Sequence, residues 1–189
     1  QLVEMVFRIH LNLAYSLAEI GRTEEAARHL EIARTFDHEN KFMAERAHLA
    51  GRIAYRRGAW ALASSLLERA DRATQEDEER LEIAALRARI ALATGDLDAA
   101  ERWARRGVDH AERTRQAQSA IELRAWVLSS RREPYELLFA ALARGGRTEE
   151  ALVVFDHWYG RTLLDALSRP IQADGPIELE AAALQTDTL

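Results

Sequence analysis

The sequence predicts an all-α fold of about four helical hairpins followed by a C-terminal extension. Three observations carry that reading. The first is composition: Ala, Leu, Glu and Arg dominate, while 189 residues include only 9 Gly and 3 Pro, a mixture that favours helix. The second is a recurring pair, a Gly with an Ala five residues later, at Gly21/Ala26, Gly58/Ala63, Gly95/Ala100 and Gly146/Ala151. The third is apolar spacing of three and four, as in Leu13, Leu17 and Ile20 or Leu62, Leu66 and Leu67, with no sustained alternation to suggest strands.

The glycines are spaced 37, 37 and 51 residues apart, and the string GRTEEA at Gly21–Ala26 recurs verbatim at Gly146–Ala151. A Gly at a helix end takes the left-handed conformation without a Cβ penalty, and the short turn sends the next helix back antiparallel. The Ala five residues on is expected where the two backbones approach closest. Thr23 and Thr148 are expected to cap the second helices, with Asp96 or Asp98 doing so after Gly95, and the Glu pairs beside the threonines suit the positive end of the dipole. The acidic run Glu76–Glu79 is read as another helix start. Two more register positions fall seven residues before each Gly (Ala14, Gly51, Ala88, Phe139) and twelve after it (Ala33, Ala70, Gly107, Trp158).

Between the third and fourth glycines the step is 14 residues longer than its neighbours. The extra length is assigned to a helix near Ala117–Ser130, a break, and a second helix from Pro134 to Arg144, since Pro lacks an amide donor and opens a helix readily. One kinked helix over residues 117–144 is the alternative. Pro170, Asp174, Gly175 and Pro176 mark a boundary, so residues 1–168 form the helical repeat and 169–189 a linker with a short helix at Ile177–Leu184. Trp158 breaks the small-residue rule at the end of the array and is expected to pack under that tail.

Small residue, Gly, Ala and small residue at these offsets resemble the tetratricopeptide repeat over about residues 6–168, with a period of 37 somewhat longer than that family's usual ~34. The resemblance implies a right-handed α–α superhelix, a solenoid that binds protein segments in its groove. Ser130–Arg132, Tyr135–Leu137, Gly146–Ala151 and Arg161–Asp165, in that order, are similar to the last repeat unit before a caspase-like CHAT domain in bacterial proteins; Trp158 and Tyr159 depart from that pattern. This narrower resemblance implies an interaction scaffold serving a CHAT protease system whose catalytic domain follows Leu189. The alternative is the helical-repeat sensor segment of a signal-responsive bacterial transcription regulator.

Chemistry is excluded more firmly than function is chosen. There are no cysteines, so neither a disulfide framework nor a thiolate zinc site nor a cysteine nucleophile exists in the chain, which fits a reducing, cytoplasmic setting. None of the six histidines shows a metal-ligating spacing, no phosphate loop is present, and no Ser–His–Asp pattern is readable. The segment is therefore read as non-catalytic and free of cofactor or metal. A net charge of −5 argues against nucleic acid as a partner, and no stretch suits a membrane. The repeat resemblance puts the first helix of each hairpin on the concave side, where the offsets place Arg8, Leu11, Tyr15, His48, Arg52, Tyr55, Arg56, Arg89 and Leu92. Arg and Tyr suit recognition of a protein or peptide, an acidic one in particular, because guanidinium grips carboxylates in a fork; that segment could come from the parent protein's own later domain. The Lys/Asn pair of the chaperone-type carboxylate clamp is missing.

Overall fold

The computed structural model describes residues 2–117 and 132–167, of which 161–167 by their backbone. Among the described residues there are eight helices and no strands: α1 (Leu2–Glu19), α2 (Thr23–Thr35), α3 (Met43–Arg56), α4 (Trp60–Ala73), α5 (Asp77–Thr94), α6 (Leu97–Ala117), α7 (Glu133–Arg144) and α8 (Thr148–Leu167). Consecutive helices pair as hairpins, α1 with α2, α3 with α4, α5 with α6 and α7 with α8, and each hairpin packs on the next. The backbones of the odd-numbered helices also approach one another in the order α1, α3, α5, α7, whereas among the described residues those of the even-numbered helices stay apart, α4 and α6 being bridged by the side chains of Asp71 and Arg106 at 2.9 Å.

The four turns share one geometry. Gly21, Gly58, Gly95 and Gly146 all have φ between 72° and 81°. The residue after each donates to the carbonyl five positions back: Arg22 to Leu17, Ala59 to Ala54, Asp96 to Ala91 and Arg147 to Leu142, each at 2.9 Å. This satisfies a carbonyl that the helix end would leave orphaned. Asp96 then caps α6 by accepting from the Ala99 amide at 2.9 Å. Thr23 does not do the same. It is the first residue of α2, its hydroxyl turns to Glu24, and the preceding Arg22 makes no side-chain cap. The carboxylates of Glu24 and Glu25 stand in that first turn instead, where they suit the dipole. Glu76 precedes α5, and Asp77, Glu78 and Glu79 fill its first turn.

Behind each turn, Ala26, Ala63, Ala100 and Ala151 are all buried at the helix crossings. The other register positions follow suit in the first three hairpins, where Ala14, Ala33, Ala70 and Ala88 are fully buried. A Cβ on Gly51 would lie 2.8 Å from Leu67 Cγ, and one on Gly107 3.1 Å from Pro134 Cβ. The fourth hairpin departs: Phe139 is 37% exposed and Trp158 half-buried, stacked 6.4 Å from Tyr135. The tail expected over Trp158, with its Ile177–Leu184 helix, lies outside the described residues. So does the span from Gln118 to Arg131. On its far side α7 opens with Pro134 in its first turn, as expected.

Larger apolar side chains fill the space between hairpins. Phe7 and Phe42 stack at 4.2 Å in the first cluster, and Leu67, Ile83, Leu86 and Ile90 join the second hairpin to the third. The stripe expected from Leu13 and Ile20 is not the core face: both are exposed, as is Leu62, and α1 buries Phe7, Leu11, Ala14 and Ala18. The loop after α2 is fixed by Asp37, whose buried carboxylate accepts from the Phe42 amide at 3.2 Å and from Arg46 Nε at 2.9 Å.

Candidate groove on the odd-numbered helices

Because α1, α3 and α5 lie side by side, residues spaced one repeat apart meet across them. Tyr15, Arg52 and Arg89 each stand six residues before their turn glycine; Glu45 and Glu82 each stand thirteen before theirs. The Arg52 guanidinium lies 4.6 Å above the Tyr15 ring. Its Nη2 donates to Glu82 Oε2 at 3.0 Å, and its Nη1 to Glu19. The Tyr15 hydroxyl donates to the same Glu82 oxygen at 2.7 Å. Burial, reinforced by the Glu82 charge, pushes the Tyr15 phenol well above its usual range, so it stays a donor.

One stretch of groove is lined by Glu19, Arg52, Tyr55, Arg56, Glu82, Arg89 and Glu133 over a floor of Leu81, Ala85 and Leu86. Four of the residues expected on the concave side therefore do share one channel. Their charges are already matched, however. Arg56 pairs with Glu19 at 3.3 Å and Arg89 with Glu133 at 2.5 Å, so this stretch holds three cations and three carboxylates. A carboxylate arriving there has to displace one that is present.

The adjoining stretch is lined by Leu11, Asn12, Tyr15, Glu45, His48, Glu76, Glu78, Glu79 and Glu82. His48 forms part of its wall but is only 3% exposed, with the Tyr15 ring set edge-on at 6.1 Å. Burial opposes the Glu79 charge, yet the His48 ring and the Thr74 hydroxyl beside it hold its carboxyl below the ordinary value. Arg8 and Leu92 line neither stretch. Arg8 lies 4.5 Å over the Phe42 ring and 3.6 Å from Glu45, while Leu92 packs between Ala91, Ala100 and Ala141.

Counting for cations and aromatics alone missed the carboxylates, although Glu45 and Glu82 recur at one register as plainly as the arginines do. It also missed a contact between helices: His10 on α1 and His29 on α2 approach to 2.9 Å between their Nδ1 atoms. One spacing along one helix could not show that pair. No cluster of three or more His, Asp or Glu suited to a metal ion occurs among the described residues, and no helix among them is long and apolar enough to cross a membrane. Comparison of the sequence with models of known protein families and with characterised proteins yields no match.

Proposed function

We propose that the chain is a protein-interaction scaffold, a tetratricopeptide-type right-handed superhelix that receives an extended segment of a partner along its odd-numbered helices. The observation that carries this reading is the contact pattern: among the described residues the backbones of the odd helices approach in series and those of the even ones stay farther apart, which is how a curved array keeps its first helices on the inside. Repetition of one turn and one buried Ala per hairpin supports the same reading. The groove offers what segment recognition uses, namely rigid Tyr faces and paired charges over an apolar floor.

Under the narrower proposal the array precedes a caspase-like CHAT domain in a bacterial parent protein and presents partners to it. Its support is the ordered motif series of the last hairpin, from Ser130 to Asp165. The coding sequence past Leu189 decides: an α/β domain with a catalytic His and Cys agrees, and a helix-turn-helix transfers the array to a transcription regulator. Binding itself is tested by titrating a labelled peptide library into the chain. Saturable binding of a subset, weakened by Tyr55→Ala with Arg56→Glu, is expected; no saturable binding by any peptide overturns the scaffold reading.

A further inference from the structure

The interfaces between hairpins share one construction. An odd helix sits on the even helix before it, α3 on α2, α5 on α4 and α7 on α6. The residues that face backward keep fixed distances from the turn glycine. Five before it stand Ile53, Ile90 and Ala141, each buried in a cluster with the preceding hairpin. Leu138, eight before its glycine, and Ile83, twelve before its own, are buried in the same way, and Pro134, also at twelve, lies against Gly107. Two of these places go to arginines, Arg46 and Arg87, which engage Asp37 and the Trp103 ring. On α1 the same three places are Ile9, Leu13 and Ser16, and all three are exposed. Leu2, Met5 and Ile20 extend the line at helical spacing, and the five apolar side chains are 43–69% exposed. They lie opposite the face that α1 buries, Phe7, Leu11, Ala14 and Ala18. Single exposed leucines are ordinary on a protein surface, but a contiguous line in a register that later helices bury marks a contact face.

The seat that receives an odd helix has a register of its own. Nine and twelve residues after the glycine stand Leu30 and Ala33, then Leu67 and Ala70, then Ala104 and Gly107, and they pack where the following hairpin arrives. On α8 those places are Phe155 and Trp158. Phe155 is 44% exposed and Tyr159, in contact with it, 51%. With Tyr135, Phe139, Val154 and Trp158 they line a cleft of about 280 Å³. A solenoid end that is to face water carries a polar outer side; along this register both ends are apolar.

We infer that these two surfaces are halves of one interface whose occupant is a second copy of the chain: α1 of one copy seats on α8 of another, head to tail. The register names the occupant. What the α1 line lacks is the outer side of an even helix, and among the described residues only α8 has that side uncovered by an odd helix. Where the internal seats hold Ala or Gly and admit a close backbone, this one is walled by rings and takes the long side chains of Met5, Ile9 and Leu13. A contact between unlike faces repeats from copy to copy unless its rotation closes a ring, and it carries the groove of α1, α3, α5 and α7 on into the next copy. The inference uses the repeat register and stands whether or not the groove takes a peptide.

The test is sedimentation velocity of the full chain over about a hundredfold range of concentration, since self-association follows mass action. Mass should rise with concentration and pass beyond two copies. Ile9→Glu with Leu13→Glu blocks one face and Phe155→Glu the other; a carboxylate buried there without a partner should weaken association at least about tenfold. Each variant alone should therefore sediment as a monomer. All three positions are exposed, and far-UV circular dichroism checks that the helices are kept. Mixed in equal amounts, the two variants should form a dimer and stop there, because each retains the face that the other has lost. That rescue also shows that both variants fold. A wild-type chain that stays monomeric throughout overturns the inference and leaves the α8 cleft to residues 169–189 of the same chain or to a different protein. Association that halts at two copies, is lost in the α1 variant and is indifferent to Phe155→Glu overturns it in favour of an α1–α1 pair. Variants that keep their helices yet fail to rescue each other overturn the head-to-tail contact.

Discussion

The second hairpin, α3–α4, and the fourth, α7–α8, start from the same turn and close differently. Gly58 and Gly146 have φ of 72° and 77°, and the residue after each makes the same 2.9 Å bond five positions back. Ala63 and Ala151 are equally buried. Farther from the turn they part. Gly51 and Ala70 let the second hairpin sink against its own Leu67 and its neighbours. The equivalent Phe139 and Trp158 hold partly exposed rings beside Phe155 and Tyr159. Turn geometry is local and travels with the Gly and its Ala, since Gly58–Ala63 and Gly146–Ala151 share little else; packing depth depends on which element stacks next.

The largest effect should come from overfilling the tight hairpin. Ala63→Leu forces α3 and α4 apart and is expected to cost about 1–3 kcal/mol, read from urea unfolding. At the loose hairpin the converse change is mild: Phe139→Ala should lose well under the ~3–5 kcal/mol of a fully buried Phe. Equal losses for the two would erase the contrast.

A finer version uses one substitution with opposite signs. Gly51→Ala gains about 1 kcal/mol of helix propensity but sets a Cβ 2.8 Å from Leu67 Cγ, so a net loss of about 1 kcal/mol is expected. Gly160, inside α8, has nothing within 4 Å of the added carbon, and Gly160→Ala should stabilise by about 0.5–1 kcal/mol. The same sign at both positions would show that packing depth does not separate the hairpins.

These contrasts also mark what was legible in the sequence. The turns and the buried alanines were, because one Gly and one Ala at fixed spacing encode both a backbone conformation and a close crossing. Capping was half legible: Asp96 caps, but Thr23 starts its helix one residue too late to do so. Core faces were less legible, since Leu13, Ile20 and Leu62 fit the period yet face outward. The groove's arginines were found and their partners were not. Glu19, Glu82 and Glu133 reach them from other helices, and pairing across helices leaves no trace in the spacing along one.

The smallest effect concerns the joint that closes the third hairpin, where His110 of α6 meets Asp77 at the start of α5. His110 is buried, and its Nδ1 lies 2.8 Å from Asp77 Oδ1. Burial pushes the imidazole below its ordinary range despite the carboxylate, and the hydrogen bond from His110 holds Asp77 below its own. For His110 the unfolded chain takes up a proton near pH ~6.5 while the folded one resists, so stability falls as pH drops through that value. For Asp77 the stabilisation is present above the unfolded carboxylate pKa of ~3.9 and is lost as pH falls through its lower folded value. The two windows do not overlap, and the span from pH ~7 to ~5.5 belongs to His110. His110→Gln, which keeps a donor toward Asp77, should flatten the dependence of unfolding free energy on pH in that span, whatever it does to stability itself. An unchanged slope would mean that His110 takes its proton as readily in the fold as out of it, and that burial at this joint does not set its charge.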